Sequence, residues 1–181
     1  MKYYKIVPFL FSFILFIACN ESEDEIPDGQ EGKATFTVSG AESGTLEFNQ
    51  EIEFAYSVSS VSGGEISVLE IYIGNYPTTP SSLKISIVEQ GNSSGFEERK
   101  YTYEEMSSTE FVGFISLYVS ENAAYSINPE AGAVNQITYT KISNTKIEGS
   151  FEVNLEESIS GSGEKIKITG TFEAMGEAAF L

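Results

Sequence analysis

Glu51 and Glu53 stand two residues apart, so on a strand their carboxylates share a face. Two carboxyls about 5–10 Å apart across a cleft can hydrolyse a glycosidic bond, one as acid and the other as base or nucleophile. Glu104 and Glu105 are adjacent and on a strand would point to opposite faces. From Lys33 onward the chain has no Asp, His, Cys or Trp. This removes Ser-His-Asp and Cys-His nucleophiles, aspartic dyads and every His- or Cys-based metal site. Asp-rich calcium loops and a G-x-x-x-x-G-K-[ST] phosphate cradle are absent too. Without Trp, a sugar-cleaving cleft would lack its usual stacking platform. The chain is therefore expected not to be an enzyme, with no catalytic residue, no metal and no cofactor.

Binding remains. Tyr101 and Tyr103 share a strand face beside Glu97-Glu98-Arg99-Lys100, and Arg99 is the only guanidinium in the chain. Aromatic rings next to a charged donor can form a small platform for a glycan or a peptide. Asn75-Tyr76-Pro77 is a second, loop-borne candidate. The 27 acidic residues outnumber 10 basic ones, for a formal charge of −17. Phosphate backbones need a basic face, so nucleic acid is excluded as a partner.

The first residues read as an address. Lys2 and Lys5 precede an apolar run from Ile6 to Ala18, broken only by Pro8 and Ser12. The run is short of the roughly 20 residues that a membrane-spanning helix needs and fits the apolar region of a secretory signal over residues 1–18. It ends Phe16-Ile17-Ala18-Cys19, and Cys19 is the only cysteine. The sequence resembles a bacterial lipobox, with Phe16 where Leu is usual. That resemblance implies cleavage before Cys19, a diacylglycerol on its sulfur and a further acyl chain, such as palmitate, on its amine. Two or three chains hold a protein on a membrane durably, at about 0.8 kcal/mol per buried CH₂. Glu21, Glu23, Asp24 and Glu25 follow. They resemble the acidic export signal of Bacteroidota lipoproteins, which implies the outer leaflet of the outer membrane, facing the cell exterior. Residues 19–32 carry almost no apolar side chains and include Pro27, Gly29 and Gly32, the composition of a flexible tether.

The remaining stretch, 33–181, must position any site, and it reads as one all-β domain. Ser, Thr, Val, Ile, Phe and Tyr dominate, and period-two alternation recurs. Ala34, Phe36 and Val38 alternate with Thr35 and Thr37. Leu46, Phe48, Ile52, Phe54, Tyr56 and Val58 share one parity, as one strand or as two that turn at Asn49-Gln50. Ile66 and Val68 differ in parity from Leu69, Ile71 and Ile73, which predicts a bulge or a strand buried on both faces. Asn75 to Ser82 is a loop, and Leu83, Ile85 and Ile87 begin the next strand. About 8–10 short strands joined by Gly/Ser/Asn turns predict an antiparallel β-sandwich, with a small closed barrel as the alternative.

Near the end, Lys146-Ile147-Glu148-Gly149-Ser150-Phe151 is nearly repeated as Lys167-Ile168-Thr169-Gly170-Thr171-Phe172. Folded antiparallel with Gly149 opposite Gly170, the apolar residues of both strands fall on one face. A one-residue slip would put one apolar set into water, whereas a slip of two preserves parity. The glycines leave a gap that flanking Phe rings or the facing sheet would fill. This paired I-x-G-x-F hairpin resembles the C-terminal end of small Bacteroidota lipoproteins in an uncharacterised family. The resemblance implies a β-sandwich and an envelope location, and brings no site residues with it. The expectation is a surface-tethered, non-enzymatic β domain that binds a glycan or an envelope protein. The alternatives are a lipocalin-like carrier of an apolar ligand, if the strands enclose a cavity, and a Glu-based glycosidase.

Overall fold

The computed structural model describes residues 31–61, 64–90, 96–103, 112–127 and 135–176. The expected signal over residues 1–18, Cys19, the acidic run from Glu21 to Glu25, and Glu104 with Glu105 lie outside the described residues. Those described form an all-β protein, and no helix among them is long and apolar enough to cross a membrane. Eleven strands are described, slightly more than the sequence suggests. They are β1 (Lys33–Gly40), β2 (Gly44–Phe48), β3 (Ile52–Val61), β4 (Gly64–Ile73), β5 (Ser82–Gln90) and β6 (Lys100–Thr102). The rest are β7 (Val112–Val119), β8 (Ala124–Ile127), β9 (Gln136–Ile142), β10 (Lys146–Glu157) and β11 (Lys165–Met175).

The two longest strands hold the molecule together by dividing their edges between partners. β10 pairs β9 through Ile147–Glu152, then β8 through Leu155–Glu157. β11 pairs β1 through Ile166–Glu173, then meets β3 at Met175. Their other edges pair with each other. The result is a ring, β11-β3-β4-β5-β7-β8-β10, closed by the β10–β11 ladder, with β1-β2 and β9-β6 branching from it. The structure thus has two strand layers, β2-β1-β11-β10-β9-β6 and β3-β4-β5-β7-β8, joined at two corners. It combines the sandwich with the closed ring. All pairings are antiparallel except the single β11–β3 contact.

Alternation sets which side chains fill the space between the layers. Ala34, Phe36 and Val38 of β1 and Ile147, Phe151, Val153 and Leu155 of β10 are buried, as are Ile166, Ile168 and Phe172 of β11. Leu69, Ile71 and Ile73 of β4 and Leu83, Ile85 and Ile87 of β5 are fully buried and join the same cluster. The parity slip in β4 is not a bulge, since its register with β3 and β5 runs without interruption. Instead Ser67 takes the inward position that continues from Leu69, and Ile66 and Val68 lie half-buried on the outer face. Asn49-Gln50 does separate two strands, β2 and β3.

The hairpin keeps the expected parity, but its register is displaced by two residues. Gly149 lies opposite Phe172, and Gly170 opposite Phe151. Each glycine is the gap into which aromatic rings close. Phe36, Gly170 and Phe151 form one row across β1, β11 and β10, and the two phenylalanine rings stand 6.3 Å apart over the glycine. In the next row Tyr139 and Phe172 flank Gly149 with ring centroids 6.1 Å apart, edge to face. Pairing glycine with glycine would have put both gaps together. Pairing each with a Phe fills both, and aromatic contacts of this geometry are favourable in themselves.

Candidate functional site

The Arg99–Tyr101–Tyr103 group does not form an outward platform. β6 pairs β9 with Tyr101 opposite Ile137, an inward position, and Tyr101 is 2% exposed. Its ring packs edge-on against Phe96 and Tyr139, and its hydroxyl accepts the N–H of Glu97 at 3.0 Å. Burial pushes the Tyr101 hydroxyl up in pKa. Tyr103 is half-buried against the same core. The Arg99 guanidinium lies 4.4 Å from the centre of the Tyr101 ring and donates to Glu89 Oε1 at 2.9 Å. Glu89 is 2% exposed, because it continues the inward parity of Leu83, Ile85 and Ile87. Arg99 and Tyr101 therefore cover a buried carboxylate at the edge of the core. The sequence carried a signal for this in the position of Glu89 on β5, whereas a strand as short as β6 has too few residues to declare its inner face.

A second constellation comes together at the corner where β11 meets β3. Glu51, Glu53, Tyr72, Gly74, Asn75 and Tyr76 line a hollow of about 450 Å³, within the range of small-ligand sites. It brings the Glu51/Glu53 pair and the Asn75-Tyr76 loop together at one site, a connection that no local sequence pattern encodes. β3 and β4 make the link: Glu53 is paired with Tyr72 across the ladder, and the β4–β5 connection curls back over the start of β3. The Gly74 N–H donates to the Glu51 carbonyl at 2.9 Å. Gly74 has φ +73°, and a Cβ there would meet the Phe48 ring at 3.1 Å, so glycine suits both the bend and the packing.

The loop is fixed by its own backbone. The Asn75 carbonyl accepts the N–H groups of Thr78 and Thr79 at 2.9 and 3.0 Å and the Thr78 hydroxyl at 2.8 Å. The Tyr76–Pro77 peptide is cis, and the Ser81 N–H donates to the Val119 carbonyl at 2.6 Å. The hydrogen bonds to the Asn75 carbonyl hold the loop in one shape.

Tyr72 is held from the other side. Its hydroxyl donates to Glu70 Oε2 at 2.5 Å, and Glu70 Oε1 takes the Ser86 hydroxyl at 3.2 Å and the Lys84 ammonium at 2.5 Å. Lys84 also lies 5.3 Å from the centre of the Tyr72 ring. Burial disfavours a charged Glu70, but hydrogen bonds from Lys84 and Tyr72 outweigh it and hold the carboxyl below its usual range. Burial and the neighbouring Glu70 push the Tyr72 hydroxyl up, so it stays a proton donor at neutral pH. The hollow therefore offers two exposed carboxylates as acceptors, an exposed Asn, and two half-buried tyrosines, one anchored by an ion pair. Such a set can accept hydrogen bonds from a polyol and cover part of its apolar surface.

Among the described residues no group of three or more His, Cys, Asp or Glu could hold a metal ion. No known protein family, curated protein or solved structure matches this chain.

Proposed function

We propose that this chain is a lipid-anchored outer-membrane protein of the Bacteroidota surface type, whose β domain binds a saccharide at the Glu51/Glu53/Tyr72/Asn75/Tyr76 corner without cleaving it. Anchoring rests on the signal-like run ending at Cys19, and surface exposure on the acidic residues that follow. The reading of the domain is carried by the corner hollow, where two tyrosines and two carboxylates converge on a loop pinned by its own backbone. The apolar-carrier alternative has less support, because in the described interior side chains from both layers join in one buried cluster.

The test is a glycan array probed with the detergent-solubilised full-length protein and its Tyr76→Ala variant. Binding to neutral oligosaccharides, reduced at least tenfold by Tyr76→Ala, is the expected result. No binding to any neutral glycan, or equal binding by the variant, overturns the reading. Bound glycans should also release no new reducing ends on incubation. Their release, abolished by Glu53→Gln, would establish the glycosidase instead.

A further inference from the structure

Twice in this molecule a cation joins a tyrosine ring to a glutamate. On β4 and β5, Lys84 pairs with Glu70 Oε1 and lies 5.3 Å from the centre of the Tyr72 ring, while the Tyr72 hydroxyl donates to Glu70 Oε2. At the start of β6, Arg99 lies 4.4 Å from the centre of the Tyr101 ring and 2.9 Å from Glu89 Oε1. The physics is the same in both. The negative face of the ring and the carboxylate attract one cation together.

The corner hollow repeats two of these three parts. Across β3, β4 and β5 one outward row reads Glu53, Tyr72 and Lys84. Lys84 therefore flanks Tyr72 from β5, and Glu53 flanks it from β3. Tyr76 brings a second ring to the lining and Glu51 a second carboxylate. Among the described residues no lysine or arginine lines the hollow. Neither Glu51 nor Glu53 is in an ion pair among them, and Lys84 is engaged by Glu70. Rings and carboxylates converge here, and no described side chain supplies the cation.

Size and charge narrow what such a place suits. A hollow of about 450 Å³ is larger than a bare cation fills and is of the size that takes a small organic molecule. Two carboxylates without a third His, Cys, Asp or Glu among the described residues do not make a metal site. The formal charge of −17 draws cations toward the molecule and repels anions. The amide of the exposed Asn75 adds a donor and an acceptor for hydroxyl groups.

From these observations we infer that the corner hollow selects an amino sugar, a saccharide whose ring carries a free ammonium group. The inference rests on the saccharide reading given above and names the class of sugar. The ammonium sits among Glu51, Glu53 and the tyrosine rings, as Lys84 sits between Glu70 and Tyr72. The remaining hydroxyls meet Asn75, and the C–H face of the sugar packs on Tyr76. A neutral sugar keeps the hydroxyl contacts but offers the carboxylates a weaker donor.

The experiment is an NMR titration of isotope-labelled full-length protein in detergent, at about pH 6, with methyl glycosides in matched pairs. The pairs are glucosamine and glucose, galactosamine and galactose, and mannosamine and mannose, each differing by an amine in place of the 2-hydroxyl. In at least one pair, amides of residues 51–53 and 72–79 should shift with both members. The apparent affinity for the amine should be at least about fivefold higher, and the ratio should shrink as salt is raised. Glu51→Gln with Glu53→Gln should bring the ratio below about twofold. Glu65→Gln with Glu121→Gln removes the same charge from other exposed positions and should keep the wild-type ratio. Equal affinities within every pair would overturn the inference and leave the saccharide reading standing. A ratio kept by the Glu51→Gln/Glu53→Gln variant, or lost in the Glu65→Gln/Glu121→Gln variant, would overturn it as well. So would ethanolamine bound as tightly as the amino sugar, since charge without a sugar would then suffice. Absence of shifts at those residues with every glycoside would also overturn it, and the glycan array then shows whether the saccharide reading falls too.

Discussion

Glu157 closes β10, and its carboxylate is tied into the turn that follows. Oε1 accepts the N–H groups of Ile159 and Ser160 at 2.8 and 2.7 Å, and Oε2 accepts the Ser160 hydroxyl at 2.7 Å. The Ser160 N–H and hydroxyl lead in pulling its pKa down, from 4.5 to about 2, and the N–H groups of Ile159 and Ser162 add to them. Because the folded value lies below the unfolded one, the stabilisation is complete above about pH 4.5. It is lost as pH falls toward 2. Glu70 and Glu173 are lowered as well, each held by lysine, and they add to the same acid loss. Urea midpoints should therefore fall between pH 7 and pH 3. Glu157→Gln should lower the midpoint at pH 7 and shrink that fall; an unchanged pH dependence would show that the turn does not rely on the charge. At this scale the sequence was only partly legible. Inward Glu89 could be read from the parity of β5, but nothing near Glu157 identified it as the acceptor for three amides. That role depends on the path of a turn, which alternation does not encode.

The β10–β11 hairpin shows how far a strand pattern reaches. Hydrophobic parity assigns each residue to a face, and a slip of two leaves every assignment intact. The register is instead decided by what fills the glycine positions and by the turn, where Glu157 donates its N–H to the Glu164 carbonyl at 2.9 Å. Gly149 cannot accept a side chain in place. A Cβ there would lie 2.8 Å from Phe172 Cζ, so Gly149→Val should destabilise by about 1–3 kcal/mol through overpacking. The Thr138 carbonyl crowds the same position, so a denaturant midpoint equal to wild type would mean that neither it nor the Phe172 ring closes that gap. Gly170 is equally confined, since a Cβ there would lie 2.5 Å from Phe36 Cβ. The two substitutions act on adjoining rows of one aromatic cluster, so their combined effect should depart from additivity.

For the whole molecule, alternation pointed to an all-β chain but left open how its layers join. Ring closure depends on β10 and β11 dividing their edges between partners, and such long-range pairings leave no local mark. The corner hollow escaped sequence reading for the same reason, since Glu51 and Tyr76 meet only because the β4–β5 loop folds back over β3. The proposed lipid anchor belongs to this scale too. Cys19→Ala should move the protein from the membrane fraction to the soluble fraction, and continued membrane retention would contradict lipidation. Saccharide binding at the corner hollow is tested by an NMR titration of isotope-labelled full-length protein in detergent with neutral oligosaccharides. Amide shifts concentrated at residues 51–53 and 72–79, lost in Tyr76→Ala, are the expected result. Shifts confined to other parts of the domain, or no shifts with any neutral oligosaccharide, would contradict it.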